Sequence, residues 1–240
     1  VGGGIIIVPA LAWAFRAQGF PEEVIMHLAV GTSLATIVLT SVSSVRAHHR
    51  RRAVLWRTFF RLSPGFAAGA LIGAATADAL KSENLELLFG TFVCLVGIQL
   101  LWGARPTSHR ELPGRGGLLL AGTLIGTLSA IVGIGGGNLT VPFLAFCNVA
   151  IRNAVATGAA AGLPIATVGA ASYVVAGHSV PDLPAWSSGY VYGPAFIGIA
   201  VASVLFAPFG ARLTHHIPTH LLRRGFGLFL IAVGVRMLVD

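Results

Sequence analysis

The sequence predicts an all-α integral membrane protein of two inverted repeats, each a broken or re-entrant helix plus three transmembrane helices. Three observations carry that expectation. Of 240 residues, 55% are hydrophobic and only 10% charged, with a mean hydropathy of +0.83. Soluble domains carry about 25% charged residues, and here apolar runs of about 20 residues recur along the chain. The string Gly-Gly-Gly-x-x-x-Val-Pro-x-Leu occurs twice, at 2–11 and 135–144. Finally, the arginines behind the net charge of +8 crowd into short loops between apolar runs. That is the topology signal of a membrane protein, and it outweighs the nucleic-acid footprint that a basic chain otherwise suggests.

Each segment follows from its hydropathy and punctuation. Residues 1–14 are apolar after the glycines but too short to span. A loop with Arg16, Pro21, Glu22 and Glu23 follows. Residues 24–45 cross, carrying His27, Thr32, Ser33, Thr36, Thr40 and Ser41. A basic loop at 46–52, with Arg57 and Arg61 beyond it, leads to a span at 59–80 that contains Pro64. A polar turn at 81–86 precedes the fourth segment, 85–104. Residues 105–115, with Pro106 and Pro113, link the halves. The first repeat is therefore 1–104 and the second 116–240, in one membrane domain. The chain opens inside the motif without Met, so we expect the first repeat's N-terminal helix to be incomplete.

The second half repeats the plan. An apolar stretch at 116–133 leads into the glycine break, and 138–148 is the short piece after it. Arg152 and Asn153 form a loop, 154–176 crosses with Pro164 inside it, and 178–188 is a loop without Lys or Arg. A span at 190–211, a basic loop at 212–224 and a last span at 221–239 complete the chain. Further matches run in the same order. Ala29-Val-Gly-Thr-Ser33 resembles Ala154-Val-Ala-Thr-Gly158, Pro64 and Phe66 align with Pro194 and Phe196, and Phe89-Gly-x-Phe92 with Gly97 aligns with Phe226-Gly-x-Phe229 with Gly234. If each glycine break returns to its own side, thirteen Lys and Arg residues share one face and three the other; eight full crossings would split them ten to six. The better separation gives three crossings per repeat, so the repeats are inverted, a transporter architecture.

Two copies of Gly-Gly-Gly-x-x-x-Val-Pro among about eight membrane segments resemble the TauE/SafE, or TSUP, family of sulfite exporters. The resemblance is carried most specifically by Gly133-Ile-Gly-Gly-Gly-Asn-Leu-Thr-Val-Pro-Phe-Leu144 and by Ala154-Val-Ala-Thr-Gly158. It implies a secondary permease or exporter of sulfite or of small organosulfonates such as sulfoacetate. The alternatives are a passive anion channel, or a permease of the same fold for another small organic anion. It implies a multi-pass protein of the cell (cytoplasmic, inner) membrane. The expected partners are a small anionic substrate, the lipid bilayer, protons as coupling ion and a second copy of the chain in a homodimer, with no nucleic acid.

The residues themselves explain how such a site would work. A helix restarting after glycines exposes N–H groups with no intrahelical partner, carries partial positive charge there, and lets its backbone approach a ligand. The substrate-binding candidates are therefore Gly2, Gly3 and Gly4 in the first break and Gly135, Gly136 and Gly137 in the second. Asn138 and Thr140 add side-chain donors, and Thr32, Ser33 and Thr157 lie early on the helices that follow. The blander alternative is that the glycines serve helix packing and the hydroxyls bond their own helices. His27 and Asp78 are candidates for proton coupling, since ionisable groups in membrane segments are functional hypotheses; plain interfacial exposure competes. His48-His49 and His215-His216 read as solvated loop residues, and no metal site or cofactor is expected. An enzyme is not expected: no H-E-x-x-H, G-x-S-x-G or P-loop is present. Cys94 and Cys147 are expected as free thiols.

Overall fold

The computed structural model describes residues 3–102, 111–181, 183–216 and 219–239. The helices in order are α1 (Gly4–Ala17), α2 (Glu22–Arg50), α3 (Trp56–Asp78), α4 (Ser82–Trp102), α5 (Arg115–Val132), α6 (Gly137–Phe146), α7 (Ile151–Gly177), α8 (Gly193–His216) and α9 (Thr219–Val239). A two-stranded antiparallel hairpin, β1 (Ser187–Ser188) and β2 (Val191–Tyr192), precedes α8. Four helices, α2, α4, α5 and α7, are long and apolar enough to cross a membrane. At a rise of about 1.5 Å per residue, the 29 residues of α2 reach roughly 43 Å.

Small residues set the packing. On α3, Gly65, Gly69 and Gly73 rest in turn on the backbone of Leu119, Thr123 and Thr127 of α5, so these helices run parallel. In return Gly122 and Gly126 lie on Leu62 and Phe66. A Cβ on Gly69 would fall on the Thr123 carbonyl. Close backbone approach of this kind replaces the hydrophobic drive that lipid removes. α4 and α9 cross antiparallel, Gly90 on Gly234 and Gly97 on Gly227. Those four glycines occupy the ninth and sixteenth positions of both helices. α2 and α7 are also antiparallel: Gly31 meets Tyr173, Leu34 meets Gly169, and Ser41 meets Gly162.

The element boundaries differ from the sequence reading in four places. The basic stretches at 46–50 and 212–216 are helix rather than loop, and Arg152 and Asn153 stand in the first turn of α7. Arg is a good helix former, and cations at a helix C-terminus complement its dipole, so a basic run extends α2 instead of ending it. The hairpin at 187–192 falls where a loop and a span start were expected; with two residues per strand around Gly189 (φ 53°), it has no periodicity to read. Pro64 and Pro194 also occupy different places, the ninth residue of α3 and the second of α8. Most of the 105–115 linker, and Ile217 and Pro218, lie outside the described residues. Cys94 and Cys147 are free thiols.

Charge is divided between the ends of the bundle. Among the described residues, Glu22, Glu23, Asp78, Glu83 and Glu86 gather where α1 meets α2 and α3 meets α4. Arg16 bridges there to Glu86 (2.9 and 2.5 Å) and to Glu22 (3.2 Å). The opposite end carries Arg46, Arg50, Arg51, Arg52, Arg57, Arg61 and Arg152.

Candidate functional site

The second glycine break is a defined turn. α5 stops at Gly133, which is left-handed (φ 69°), and the N–H of Ile134 reaches back to the Ser129 carbonyl (3.0 Å). That bond is the six-to-one closure that satisfies a helix C-terminus. Gly133 through Gly136 are buried, and α6 restarts at Gly137 with Gly136 at its cap and no capping side chain. The first break ends in the same way: α1 begins at Gly4, behind an exposed Gly3 that offers no side-chain cap. Proline is the sixth residue of both short helices, Pro9 and Pro142. Each removes an N–H, freeing a carbonyl near the helix start, that of Ile5 or Asn138. Gly2 lies outside the described residues.

The two breaks touch. A Cβ on Gly4 would stand 2.5 Å from the Gly133 oxygen and 2.9 Å from the Ile134 Cα. The Ser33 hydroxyl on α2 donates to that same Gly133 carbonyl (2.8 Å). Gly136 is held tightly, its Cβ direction meeting Ile165 at 2.7 Å and Ala161 at 3.0 Å. Gly137 makes ordinary contact with Gly158 at 3.7 Å, and Gly135 with Ile37 at 3.4 Å. Thr140, in the first turn of α6, is fully buried, and its hydroxyl has no hydrogen-bond partner among the described residues. The same holds for Ser129, at the end of α5. Buried hydroxyls normally find partners, so these two mark polar capacity within the break. Ser129 was not expected from sequence; its place one turn before a Gly-rich stop is the only signal that pointed to it. Asn138 is half-buried beside them.

Thr32 and Thr157 each accept a backbone N–H through the hydroxyl oxygen. Thr32 Oγ1 accepts from the Tyr192 N–H (2.9 Å), at the entry to α8. Thr157 Oγ1 accepts from the Leu55 N–H (3.0 Å), at the entry to α3. Each therefore satisfies a backbone donor at the start of a helix in the other half of the chain. Both threonines are buried, and the bonds are reciprocal.

His27 and Asp78 come together at the acidic end. His27 is 4% exposed, its Nε2 lies 3.0 Å from the Ala77 carbonyl, and its ring stacks on Tyr190 at 4.9 Å. A carbonyl only accepts, so Nε2 carries the proton; Nδ1 is buried without a hydrogen bond. Asp78, exposed at the end of α3, lies near enough to Tyr190 and His27 to act on both electrostatically. Tyr190, in the hairpin, was not expected from sequence, because nothing local tells an inserted hairpin aromatic from the start of a span. His49 accepts from the Trp56 indole (3.2 Å), and among the described residues no group of His, Cys, Asp and Glu gathers as metal ligands. The side chains of His215 and His216 lie outside the described residues.

A family model described as "Sulfite exporter TauE/SafE" matches residues 1–237. The chain belongs to this family. Curated relatives agree with a TauE/SafE membrane transporter. A "Probable membrane transporter protein" of Haemophilus influenzae is 32% identical over 240 residues, covering 99% of this chain and 90% of the relative. Another, of Methanocaldococcus jannaschii, is 26% identical and covers 100% of this chain and 88% of its own. A third, of Bacillus subtilis, is 28% identical over 74% of this chain and 72% of the relative. No solved structure matches this TauE/SafE chain.

Proposed function

We propose that this TauE/SafE protein is a secondary permease that moves sulfite or a small organosulfonate such as sulfoacetate across the cell membrane. The observation that carries the reading is the contact between the two glycine breaks. It brings one break's helix start, at Gly4, against the turn that precedes the other's, at Gly137. Backbone N–H groups at helix starts favour anions without a fixed buried arginine. Such an arginine would cost about 2.5–3.5 kcal/mol to insert and would hinder release of a dianion. Gly135, Gly136, Asn138 and Thr140 line this site in our reading, with Ser129 beside them.

The architecture is read as two inverted repeats. Support comes from the antiparallel contact of α2 with α7 and of α4 with α9, and from the reciprocal bonds of Thr32 and Thr157. A twofold axis in the membrane plane produces that pattern. With Gly133 to Gly136 and Thr140 buried, substrate entry requires one half to move against the other. Proton coupling is assigned to His27, whose Nδ1 is the site to be protonated, with Asp78 as its link to solvent through Tyr190.

The test is uptake of labelled sulfite, sulfoacetate and taurine into proteoliposomes under an imposed pH gradient. The reading predicts saturable flux of at least one sulfur anion, accelerated by the same anion inside. Flux without saturation or counterflow makes the protein a channel. Transport of a divalent metal, with no sulfur anion competing, overturns the assignment.

A further inference from the structure

A recess of about 220 Å³ opens where the end of α2 meets the start of α7, lined by His48, Arg51, Ala53, Ile151, Arg152 and Val155. Arg152 donates through Nη2 to the Arg51 carbonyl (2.9 Å), which ties the two helices and holds its guanidinium at the rim. Neither arginine is paired: both salt bridges among the described residues belong to Arg16, and no Asp or Glu occurs between residues 24 and 77 or between 112 and 181. The walls are apolar. Ile151 and Val155 are 64% and 41% exposed and stand one turn apart, presenting a continuous apolar strip to whatever surrounds α7. Beside the recess Trp56 and the exposed Phe60 pack together, the residue types that settle at a membrane–water boundary.

We propose that this recess binds an anionic membrane lipid, its phosphate at Arg51, Arg152 and His48 and its acyl chain along Ile151 and Val155. A water-borne anion would find a ring of donors here on one side only, because the remaining lining is hydrocarbon. A lipid matches both halves. The excess of arginine also assigns this end to the cytoplasmic side, where anionic lipids make the surface negative and basic pockets between helix ends take phosphate head groups. The site is separate from the glycine breaks and stands whether or not the sulfur-anion reading does.

The experiment uses the purified full chain in detergent and measures the unfolding midpoint and lipid retention in native mass spectra. The probes are phosphatidylglycerol, phosphatidylcholine, inorganic phosphate and sulfite. Phosphatidylglycerol raises the midpoint and stays bound; phosphatidylcholine and inorganic phosphate do neither. Arg51→Gln weakens phosphatidylglycerol binding about fivefold, the effect of one charge near an anionic surface. Arg57→Gln, on the same end but outside the recess, does not. Ile151→Gln, which changes no charge, also weakens retention, and it serves where Arg51→Gln folds poorly. Equal binding of phosphatidylcholine overturns the proposal. So does equal loss in Arg51→Gln and Arg57→Gln, which would mean diffuse surface charge. Stabilisation by inorganic phosphate or sulfite as large as by phosphatidylglycerol overturns it in favour of a water-borne oxyanion site.

Discussion

One turn of helix occurs twice in this chain with different chemistry. In α2, His27 stands five residues before Thr32; in α7, Arg152 stands five residues before Thr157. The threonines do the same work, each accepting a backbone N–H at the entry of a helix in the other half. The ionisable residues do not. His27 is buried at the carboxylate-rich end, against Tyr190 and the Ala77 carbonyl; Arg152 is exposed at the arginine-rich end and fastened to the Arg51 carbonyl. The frame is thus shared between the halves while the charge on it is not. Symmetric positions maintain the packing. Asymmetric ones give each end of the bundle its own electrostatics: an imidazole at one and a guanidinium at the other.

The largest effect is expected where the frame is tightest. Gly4→Val must push against the backbone of Gly133 and Ile134. It should cost about 3 kcal/mol, the upper range for overpacking, and abolish transport, whereas Gly137→Ala should unfold like wild type. Equal melting of the two variants in a thermal assay would mean that the breaks do not pack as described. Next come the reciprocal threonines. Thr32→Val and Thr157→Val each strand a backbone N–H, at Tyr192 or Leu55, and should each cost about 1–3 kcal/mol. Similar losses sharpen the symmetry; a loss at one position alone breaks it. The smallest stability effects belong to His27 and Arg152. His27→Gln keeps a donor for the Ala77 carbonyl, and Arg152→Gln alters an exposed residue, so each should shift stability by less than about 1 kcal/mol. They should differ in flux against pH. His27→Gln flattens the response; Arg152→Gln leaves its shape intact. The same flattening in both would remove His27 from proton coupling.

Much of this was legible in the sequence because the membrane imposes strong signals. The glycine breaks, the positions of α2, α3, α4, α5 and α7, and the bias of arginine to one end all follow from hydropathy and punctuation. What escaped has physical reasons as well. Helix ends were misplaced because arginine and histidine both flank a span and extend it. The hairpin was too short to carry a period. Aligning Pro64 with Pro194 used residue identity where helix position was needed, whereas Gly90 and Gly97 against Gly227 and Gly234 agreed in both. The roles of Thr32 and Thr157 were the hardest to foresee. A buried hydroxyl can donate to an anion or accept from a backbone N–H, and the N–H donors stand 160 and 102 residues away in sequence.

Thr140 separates these two uses of a threonine. Its hydroxyl is fully buried with no partner among the described residues, which costs stability while no ligand is bound. The most direct test of the glycine break as the anion site is therefore Thr140→Val, measured for unfolding midpoint and for sulfite and sulfoacetate affinity in the same preparation. Valine keeps the shape and loses the hydroxyl. The account predicts an unchanged or raised midpoint, unlike Thr32→Val and Thr157→Val, together with anion affinity weakened about two- to tenfold, the worth of one hydrogen bond. A lowered midpoint with anion affinity unchanged would contradict it.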